Sequence, residues 1–290
     1  MIKIEVVYSP ICEASASFMG ILQEWLEGKN VEIISSIFDC SSEYQKKLYE
    51  SNGLAVNGRM LETCFIDVFY KDRLIDSVPL SKRRIFLALG ITDDNYIEDR
   101  FTIVPDNLSV DEFRKLVRNE EISWIPITKD TFMEEMDMCL HNYPLGNPPE
   151  RFHSQCIKLK KHVFDQVWKE EVYAGIYAKY KDIVIGIIEV FPREIMKKYG
   201  FLTGSTGNDR DYLTVGCYEV GFGIPRKEMI DELMLHLELN QTCFSRKWLE
   251  GIGVYEWPDG FTPYWVFDKY GFKKKEIISE YKVVMEKSLS

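Results

Sequence analysis

Apolar positions in the first ninety residues follow two different spacings. Short runs rich in Ile and Val at residues 2–8 and 31–38 are typical of strands, and residues 14–27 have the length and spacing of a helix. The pattern also predicts a helix over 42–51, strands over 65–70 and 74–78, and a helix over 81–89 that ends at Gly90. The expected order is β-α-β-α-β-β-α.

The second half of the chain has its own alternation of strands and helices. Strands are expected over residues 122–127, 173–179, 183–191, 212–219, 248–257 and 280–286, and helices over 129–141, 151–168, 226–239 and 262–270. Residues 91–120 are acidic and turn-rich, with one short helix expected over 110–117 behind Ser109. We therefore predict an α/β chain with a domain at 1–90, a linker at 91–120 and a second domain at 121–290.

A turn containing Gly221, Phe222 and Gly223 lies between a predicted strand and the helix that begins at Arg226. The first turn of a helix has N–H groups without partners and the positive end of the helix dipole, which together bind phosphate. The order strand, turn, helix, strand, aromatic helix ending in Tyr270-Gly271-Phe272, and final strand resembles the GNAT superfamily of acetyl-CoA-dependent acyltransferases over residues 122–286. The resemblance implies a GNAT-type mixed sheet.

The resemblance also implies acetyl-CoA as co-substrate. Its pyrophosphate would be bound by the loop and the helix start, and its pantetheine arm by the central strand, which separates from its neighbour in that family. The family's loop has two glycines, and two alignments with this chain stay open. Either Gly221 and Gly223 are their equivalents, or Ile224 and Arg226 stand at their positions. Side-chain cations at Arg226 and Lys227 would add phosphate contacts. The cofactor-binding candidates are Val215, Cys217, Tyr218, Gly221, Phe222, Gly223, Ile224, Arg226 and Lys227.

Transfer of an acetyl group to an amine needs positioning, a base for the amine proton and an acid for the departing thiolate. Glu219, at the end of the central strand, is the candidate base, with Glu189 on the adjacent strand as the alternative. The family often has a Tyr donor four residues before the Gly-Phe of the last helix, where this chain has Phe267. Tyr264 and Tyr270 are the remaining candidate donors.

A cysteine, Cys12, stands where the first strand gives way to the first helix, a position that favours the thiolate. The element order of residues 1–90 resembles the thioredoxin-like fold, and Cys12-Glu13-Ala14-Ser15 matches its monothiol motif. The thioredoxin-like fold usually has a proline before its third strand, and this chain has Glu62-Thr63-Cys64-Phe65 there instead. A non-catalytic thioredoxin-like scaffold is favoured over a redox module, with Cys12 kept as the candidate reactive thiol.

Charge and composition narrow the functions further. The 290-residue chain has 36 Lys and Arg against 46 Asp and Glu, a net charge of -10, which disfavours nucleic-acid binding. No apolar run of membrane-spanning length and no secretory signal occur, so we expect a cytoplasmic protein that binds no membrane. Seven widely spaced Cys and four His show no zinc-like spacing, so no metal is expected.

Three hypotheses follow. The favoured one is an N-acetyltransferase acting on a small-molecule or peptide amine, with the N-terminal domain shaping substrate access or forming a homodimer. The second is a redox or sensing protein that uses Cys12 while its C-terminal domain binds CoA without catalysis. The third is a pair of degenerate domains that serves as an interaction module.

Overall fold

The computed structural model describes residues 1–8, 14–37, 42–43, 66–71, 73–76, 82–92, 108–141, 153–199, 201–221, 223–255, 262–278 and 282–289. The chain divides into two compact units. Unit 1 comprises Met1–Thr102, Leu145–Val163 and Lys197–Phe201, and unit 2 comprises Ile103–Pro144, Phe164–Met196 and Leu202–Ser290. The predicted division at residues 90 and 120 stays a prediction.

Unit 1 is built on a four-stranded sheet. Its elements are β1 (Ile2–Tyr8), α1 (Ala14–Leu26), β2 (Val31–Ile37), β3 (Ile66–Tyr70), β4 (Arg73–Asp76) and α2 (Lys82–Leu89). The strand order is β2-β1-β3-β4, with β1 parallel to β2 and antiparallel to β3. Leu22, Phe69 and Ile85 are among the side chains buried in its core. The helix predicted at 42–51 lies almost entirely outside the described residues, and the thioredoxin-like assignment stays a prediction.

Unit 2 contains a seven-stranded sheet in the order β10-β11-β9-β8-β7-β6-β5. Its strands are β5 (Ile122–Pro126), β6 (Gly175–Tyr180), β7 (Ile183–Pro192), β8 (Tyr212–Val220), β9 (Trp248–Val254), β10 (Lys273–Ile277) and β11 (Lys282–Ser288). Neighbouring strands are antiparallel except β8 and β9, which are parallel. A parallel pair needs a crossover connection, and here a helix supplies it.

The helices described in this part of the chain are α3 (Val110–Arg118), α4 (Phe132–His141), α5 (His153–Val167), α6 (Arg193–Lys198), α7 (Arg226–Leu239) and α8 (Tyr264–Lys269). Residues of α5 and α6 are divided between the two units. The predicted bounds of α7 are confirmed, and the apolar stripe Met229, Ile230, Leu233 and Leu237 is buried as its spacing indicates. Helix α6 and strand β10 were not predicted.

Each face of the large sheet has its own apolar layer. One face packs against Phe113 of α3, Leu233 of α7 and Phe267 of α8. On the other face, Phe191 of β7 contacts Phe164, whose ring centre is 5.6 Å away, and Phe132 of α4 lies 5.0 Å from Phe164. Helix α3 is fixed by the predicted cap, because Ser109 and Glu112 form a reciprocal capping box.

In the basic segment Lys273–Lys275, Lys273 and Lys274 are exposed and Lys275 is half-buried. Lys275 is held by two neighbours. Its ammonium group binds the carboxylate of Glu286 and lies 4.6 Å from the ring centre of Tyr212. The segment opens β10, an edge strand paired with β11. Lysines are common on edge strands because their charge opposes pairing with other chains.

Helix α7 is fastened to strand β5 by a ring stack. The imidazole of His236 lies 4.2 Å from the indole of Trp124, with 14° between the ring planes. Burial lowers the pKa of His236, because charging the ring in this apolar layer is unfavourable.

We predict that this stack makes the fold acid-sensitive. The pKa of His236 is lower in the folded protein than the ordinary 6.5 of the unfolded chain. As the pH falls below about 6.5, the unfolded chain therefore binds a proton more readily than the folded protein does, and the free energy of unfolding decreases. Chemical denaturation at pH 5 and pH 7 should show a smaller loss for His236→Phe than for the unmodified protein. Replacement of the exposed His162 by Phe is the control, and equal losses in all three proteins would refute the prediction.

Candidate functional site

Strands β8 and β9 pair over a short distance and then part. The parallel register covers three residue pairs, from Tyr212 with Trp248 to Thr214 with Glu250, while β8 continues to Val220 and β9 to Val254. At about 3.3 Å per residue, β8 extends roughly 20 Å beyond the last pair. We call the space between the two strands beyond this pair the strand gap.

A bulge accompanies the divergence. Across β7 and β8, Glu189 pairs with Cys217 and Val190 pairs with Val215, so Gly216 is an extra residue in β8. An extra residue bends its strand and increases the local twist. The bend therefore begins two residues after the β8–β9 ladder ends at Thr214.

The last pair of the ladder is joined by side chains. The Thr214 hydroxyl donates to Oε1 of Glu250 at 2.9 Å, the Gly204 amide donates to the same oxygen at 3.2 Å, and Nη1 of Arg193 donates to Oε2 at 3.1 Å. Arg193 and Glu250 are fully buried. Burial raises the pKa of Glu250, while the charge of Arg193 and the three hydrogen bonds oppose that shift.

Arg193 connects this pair to the loop that precedes β8. Its Nε donates to Asp209 at 2.8 Å and its Nη2 to the Thr206 carbonyl at 2.7 Å, and the guanidinium lies 4.0 Å from the ring centre of Tyr212. Sequence reasoning missed Arg193, Thr214 and Glu250. A charged residue inside the apolar run Trp248–Val254 was a usable signal, but the sequence does not indicate its partner.

The loop between β8 and α7 is anchored at both glycines. The Gly221 amide donates to the Ile185 carbonyl at 2.9 Å, and the Gly223 carbonyl accepts from the Leu108 amide at 2.7 Å. Gly223 has φ of 74°, a left-handed conformation that side chains disfavour. Ile224 packs against the core, and Phe222 lies outside the described residues.

The N-terminus of α7 has no side-chain cap. Its cap residue is Pro225, which offers no hydrogen bond, whereas the start of α3 is closed by Ser109 and Glu112. The N–H groups of the first turn of α7 therefore point out of the helix without an intrahelical partner. An anion bound there would satisfy them.

Two cations stand in this first turn. The guanidinium of Arg226 is 6.0 Å from the ring centre of Tyr218, and the ammonium of Lys227 is 5.7 Å from that of Trp265. Within the described part of the chain, neither cation forms an ion pair, whereas the next residue, Glu228, pairs with Arg114 at 3.4 Å. Among the described residues, no carboxylate therefore neutralises the charge of Arg226 or Lys227.

The other predicted residues of β8 lie at different depths. Val215 is buried in the core, so its side chain does not face solvent. Cys217 and Tyr218 are half-buried, with Cys217 in register with Glu189, which is fully buried on β7. Glu219 is half-buried two residues further along, in register with Ile187.

Helix α8 lies directly against β9. An added Cβ on Gly251 would meet the Phe267 ring at 2.4 Å, and one on Gly253 would meet the backbone of Tyr264 at 2.7 Å. The Phe267 ring, which occupies the family's donor position, therefore packs directly against Gly251, the residue that follows the last pair of the ladder. Lys274 places its ammonium 3.9 Å from the Tyr264 ring centre.

Tyr270 is engaged elsewhere. Its hydroxyl donates to the Asp231 carbonyl of α7 at 2.7 Å. Burial and the charge of Asp231 raise the pKa of Tyr270. Both effects make this hydroxyl a poor proton donor and favour a role in joining α8 to α7.

Several earlier predictions fall outside what is described. Cys12 and Cys64 lie outside the described residues, so the reactive thiol stays a prediction. Among the residues that are described, no three His, Cys, Asp or Glu side chains come together in a way that could hold a metal ion. In the same residues, no helix has the length and apolar character needed to cross a bilayer.

The arrangement suits a particular kind of ligand. A gap between strands can hold an extended chain of amide groups, and the uncapped start of α7 with Arg226 and Lys227 can hold an anion at its open end.

Comparison with known proteins gives similarity at the level of structure. No family model matches the sequence, and no curated protein matches it. Similar solved structures include GNAT acetyltransferases. The GNAT-family acetyltransferase of Streptococcus pneumoniae is 10% identical, with 59% of this chain and 100% of that chain covered and a TM-score of 0.37.

Two further similar structures were solved with ligands. For yncA of Salmonella typhimurium, with its cofactor acetyl-CoA, identity is 11%, coverage is 59% of this chain and 95% of that chain, and the TM-score is 0.37. The paia N-acetyltransferase of Thermoplasma acidophilum, in complex with coenzyme A, is 13% identical. The match covers 58% of this chain and 98% of that chain, with a TM-score of 0.36.

The buried pair at the end of the ladder gives a stability prediction. Glu250→Ala removes the buried one of the two carboxylates that pair with Arg193 and leaves only the part-exposed Asp209, so we expect the free energy of unfolding to fall by about 3 kcal/mol. The double variant Arg193→Met with Glu250→Leu should recover much of that loss. Lys247→Ala, which removes an exposed bridge to Asp211, is the control and should cost under about 1 kcal/mol. Urea denaturation measures all three, and equal losses for Glu250→Ala and Lys247→Ala would contradict the account.

Proposed function

We propose that the chain is an N-acetyltransferase that moves an acetyl group from acetyl-CoA to an amine. The observation that carries the proposal is the parallel ladder of β8 and β9, which ends after three pairs and leaves a gap beside the uncapped start of α7. The pantetheine arm would lie in the gap. The pyrophosphate would be bound by the first turn of α7 with Arg226 and Lys227.

The arm is short enough to fit within the gap. About thirteen bonds separate the thioester sulfur from the nearer phosphorus, and an extended chain advances roughly 3.5 Å for every three bonds, so the arm reaches about 15 Å. That equals roughly four or five residues of strand. Counted back from Gly221 along β8, the thioester would lie near Gly216 or Cys217, close to the end of the ladder.

This placement orders the candidate bases. Glu189 is in register with Cys217 and thus nearest the thioester, but it is fully buried. Glu219 is half-buried and lies two residues closer to the loop, about 7 Å along the strand. Because a base must reach the incoming ammonium group, we favour Glu219.

The proton donor is assigned by elimination among three aromatic residues. Phe267 lies beside the end of the ladder and has no hydroxyl. Tyr270 donates its hydroxyl to Asp231. Tyr264 stands at the start of α8 against β9, half-buried, and we propose it as the residue that returns a proton to the thiolate.

The acceptor would be a primary amine of a small molecule or peptide. Amines are cationic at neutral pH, and a chain with a net charge of -10 attracts cations.

We also infer a thioredoxin-like scaffold for unit 1. Its central strand β1 lies between a parallel β2 and an antiparallel β3, and β4 and α2 follow in the expected order.

Calorimetric titration with acetyl-CoA, followed by thiol release with a panel of amines, tests the proposed function. We expect saturable binding and amine-dependent release of CoA. Absence of binding at millimolar acetyl-CoA would refute the proposal. Binding without release for any amine would refute catalysis and leave a CoA-binding protein.

Two matched substitutions test the proton donor. Tyr264→Phe should lower kcat by about a hundredfold or more with unchanged affinity for acetyl-CoA, because a positioned acid contributes rate and no ground-state binding. Tyr270→Phe also removes one hydroxyl group, but here the hydroxyl donates to the Asp231 carbonyl. We therefore expect lower thermal stability, with kcat within about twofold of the unmodified enzyme. The reverse pattern would assign the role to Tyr270.

A further inference from the structure

The ammonium group of Lys274 contacts the rings of two tyrosines. Its Nζ is 3.9 Å from the ring centre of Tyr264 and 4.7 Å from that of Tyr255, and the two ring centres are 5.2 Å apart. The electron-rich face of an aromatic ring attracts a cation at such distances. The contact therefore holds an amine nitrogen against Tyr264, the proposed proton donor.

The two lysines beside it in the chain are held in another way. Lys273 pairs with Asp268 at 3.4 Å, and Lys275 binds the carboxylate of Glu286. Lys274 is exposed, and within the residues that the structure describes it has no ion pair with a carboxylate. Of these three neighbouring lysines, Lys274 is thus the one whose nitrogen rests on aromatic rings alone.

Strand register places Lys274 level with the end of the β8–β9 ladder. Lys274 pairs with Met285 across β10 and β11, and Met285 pairs with Gly251 across β11 and β9. Directly paired residues project from the same face of a sheet, and here that is the face on which Phe267 covers Gly251. The Lys274 side chain therefore leaves the sheet on the α8 side, in the row that contains the residue after the last ladder pair.

Tyr264 is fixed in place, whereas the lysine side chain can move. The Val254 amide donates to the Thr262 carbonyl at 3.1 Å, and the backbone of Tyr264 lies against Gly253, so the start of α8 is fastened to β9. A lysine has a flexible four-carbon stem. A change of rotamer carries the nitrogen from the ring face toward the phenol oxygen, where the proposed donor meets the thioester sulfur.

We propose that Lys274 is an acetyl acceptor within its own chain, an inference that rests on the proposed function. The ammonium group loses one proton to solvent, and the neutral nitrogen attacks the thioester carbon. The N–C bond forms and the C–S bond breaks, and the thiolate takes the phenol proton of Tyr264. The second proton lost by the nitrogen restores the phenol, so the products are N-acetyl-lysine, CoA and one proton.

This reaction takes place once per chain. An amine held beside the donor reacts faster than an amine that must be encountered in solution. Acetylation removes the positive charge of Lys274, and with it the attraction that holds the side chain on the two rings.

Peptide mass spectrometry of the full-length protein after incubation with acetyl-CoA tests the inference. Cleavage after acidic residues releases the peptide 269–276, in which fragment ions distinguish Lys274 from Lys273 and Lys275. We expect acetylation of Lys274 at an initial rate roughly a hundredfold above that of Lys129, an exposed lysine before α4. The rate constant should not depend on protein concentration, because donor and acceptor are held by one chain.

Three variants separate catalysed transfer from chemical labelling. Tyr264→Phe should lower the rate at Lys274 roughly a hundredfold and leave the rate at Lys129 unchanged, because a positioned acid acts only on the bound thioester. Lys274→Arg keeps a cation on the rings and should abolish this acetylation, with the Kd for acetyl-CoA within about twofold. Lys129→Arg is the matched control and should leave the rate at Lys274 unchanged.

The contrary outcomes distinguish the inference from the proposed function. Equal rates at Lys274 and Lys129, or a Lys274 rate that Tyr264→Phe leaves unchanged, would show chemical labelling and overturn the inference. A rate constant proportional to protein concentration would show transfer between molecules and overturn it as well. CoA release with external amines but no acetylation of Lys274 would overturn the inference alone, whereas failure to bind acetyl-CoA would overturn both.

Discussion

The site depends on one constraint. The parallel strands β8 and β9 are paired at one end and separated at the other. A hydrogen bond from the Thr214 hydroxyl to Glu250 joins the last pair of the ladder, and Arg193 connects that pair to the preceding loop. Because neighbouring strands normally continue their pairing along their common length, the point at which the ladder ends fixes where the gap begins. The distance from that point to α7 then sets the length of ligand that fits.

A buried ion pair is a costly way to fix this point. Removing Arg193 and Glu250 from water carries a penalty that their attraction only partly offsets, and apolar residues often stabilise a fold equally well. The pair also receives hydrogen bonds from Thr214 and the Gly204 amide, which satisfy the carboxylate at defined positions. Apolar contacts lack that directionality. The arrangement therefore suits a place where the separation of two strands matters more than stability.

The sequence predicts the elements of unit 2 better than their pairing. Helix α7 was predicted with its observed bounds, because its apolar stripe and Pro225 are local signals. Strand β10 was missed because Lys273–Lys275 has no apolar alternation, and its place depends on β11. The contact of Arg193 with Glu250 joins residues 57 positions apart, so no local pattern indicates it. The family resemblance implied the divergence of the central strand, and the structure adds the position at which it starts.

Hydrogen exchange with and without saturating acetyl-CoA tests most directly whether the strand gap receives the pantetheine arm. The account predicts slower exchange of backbone amides in residues 215–221 and in the first turn of α7, with little change in β6, which lies two strands away in the same sheet. Equal slowing throughout unit 2, or binding that leaves residues 215–221 unaffected, would contradict it.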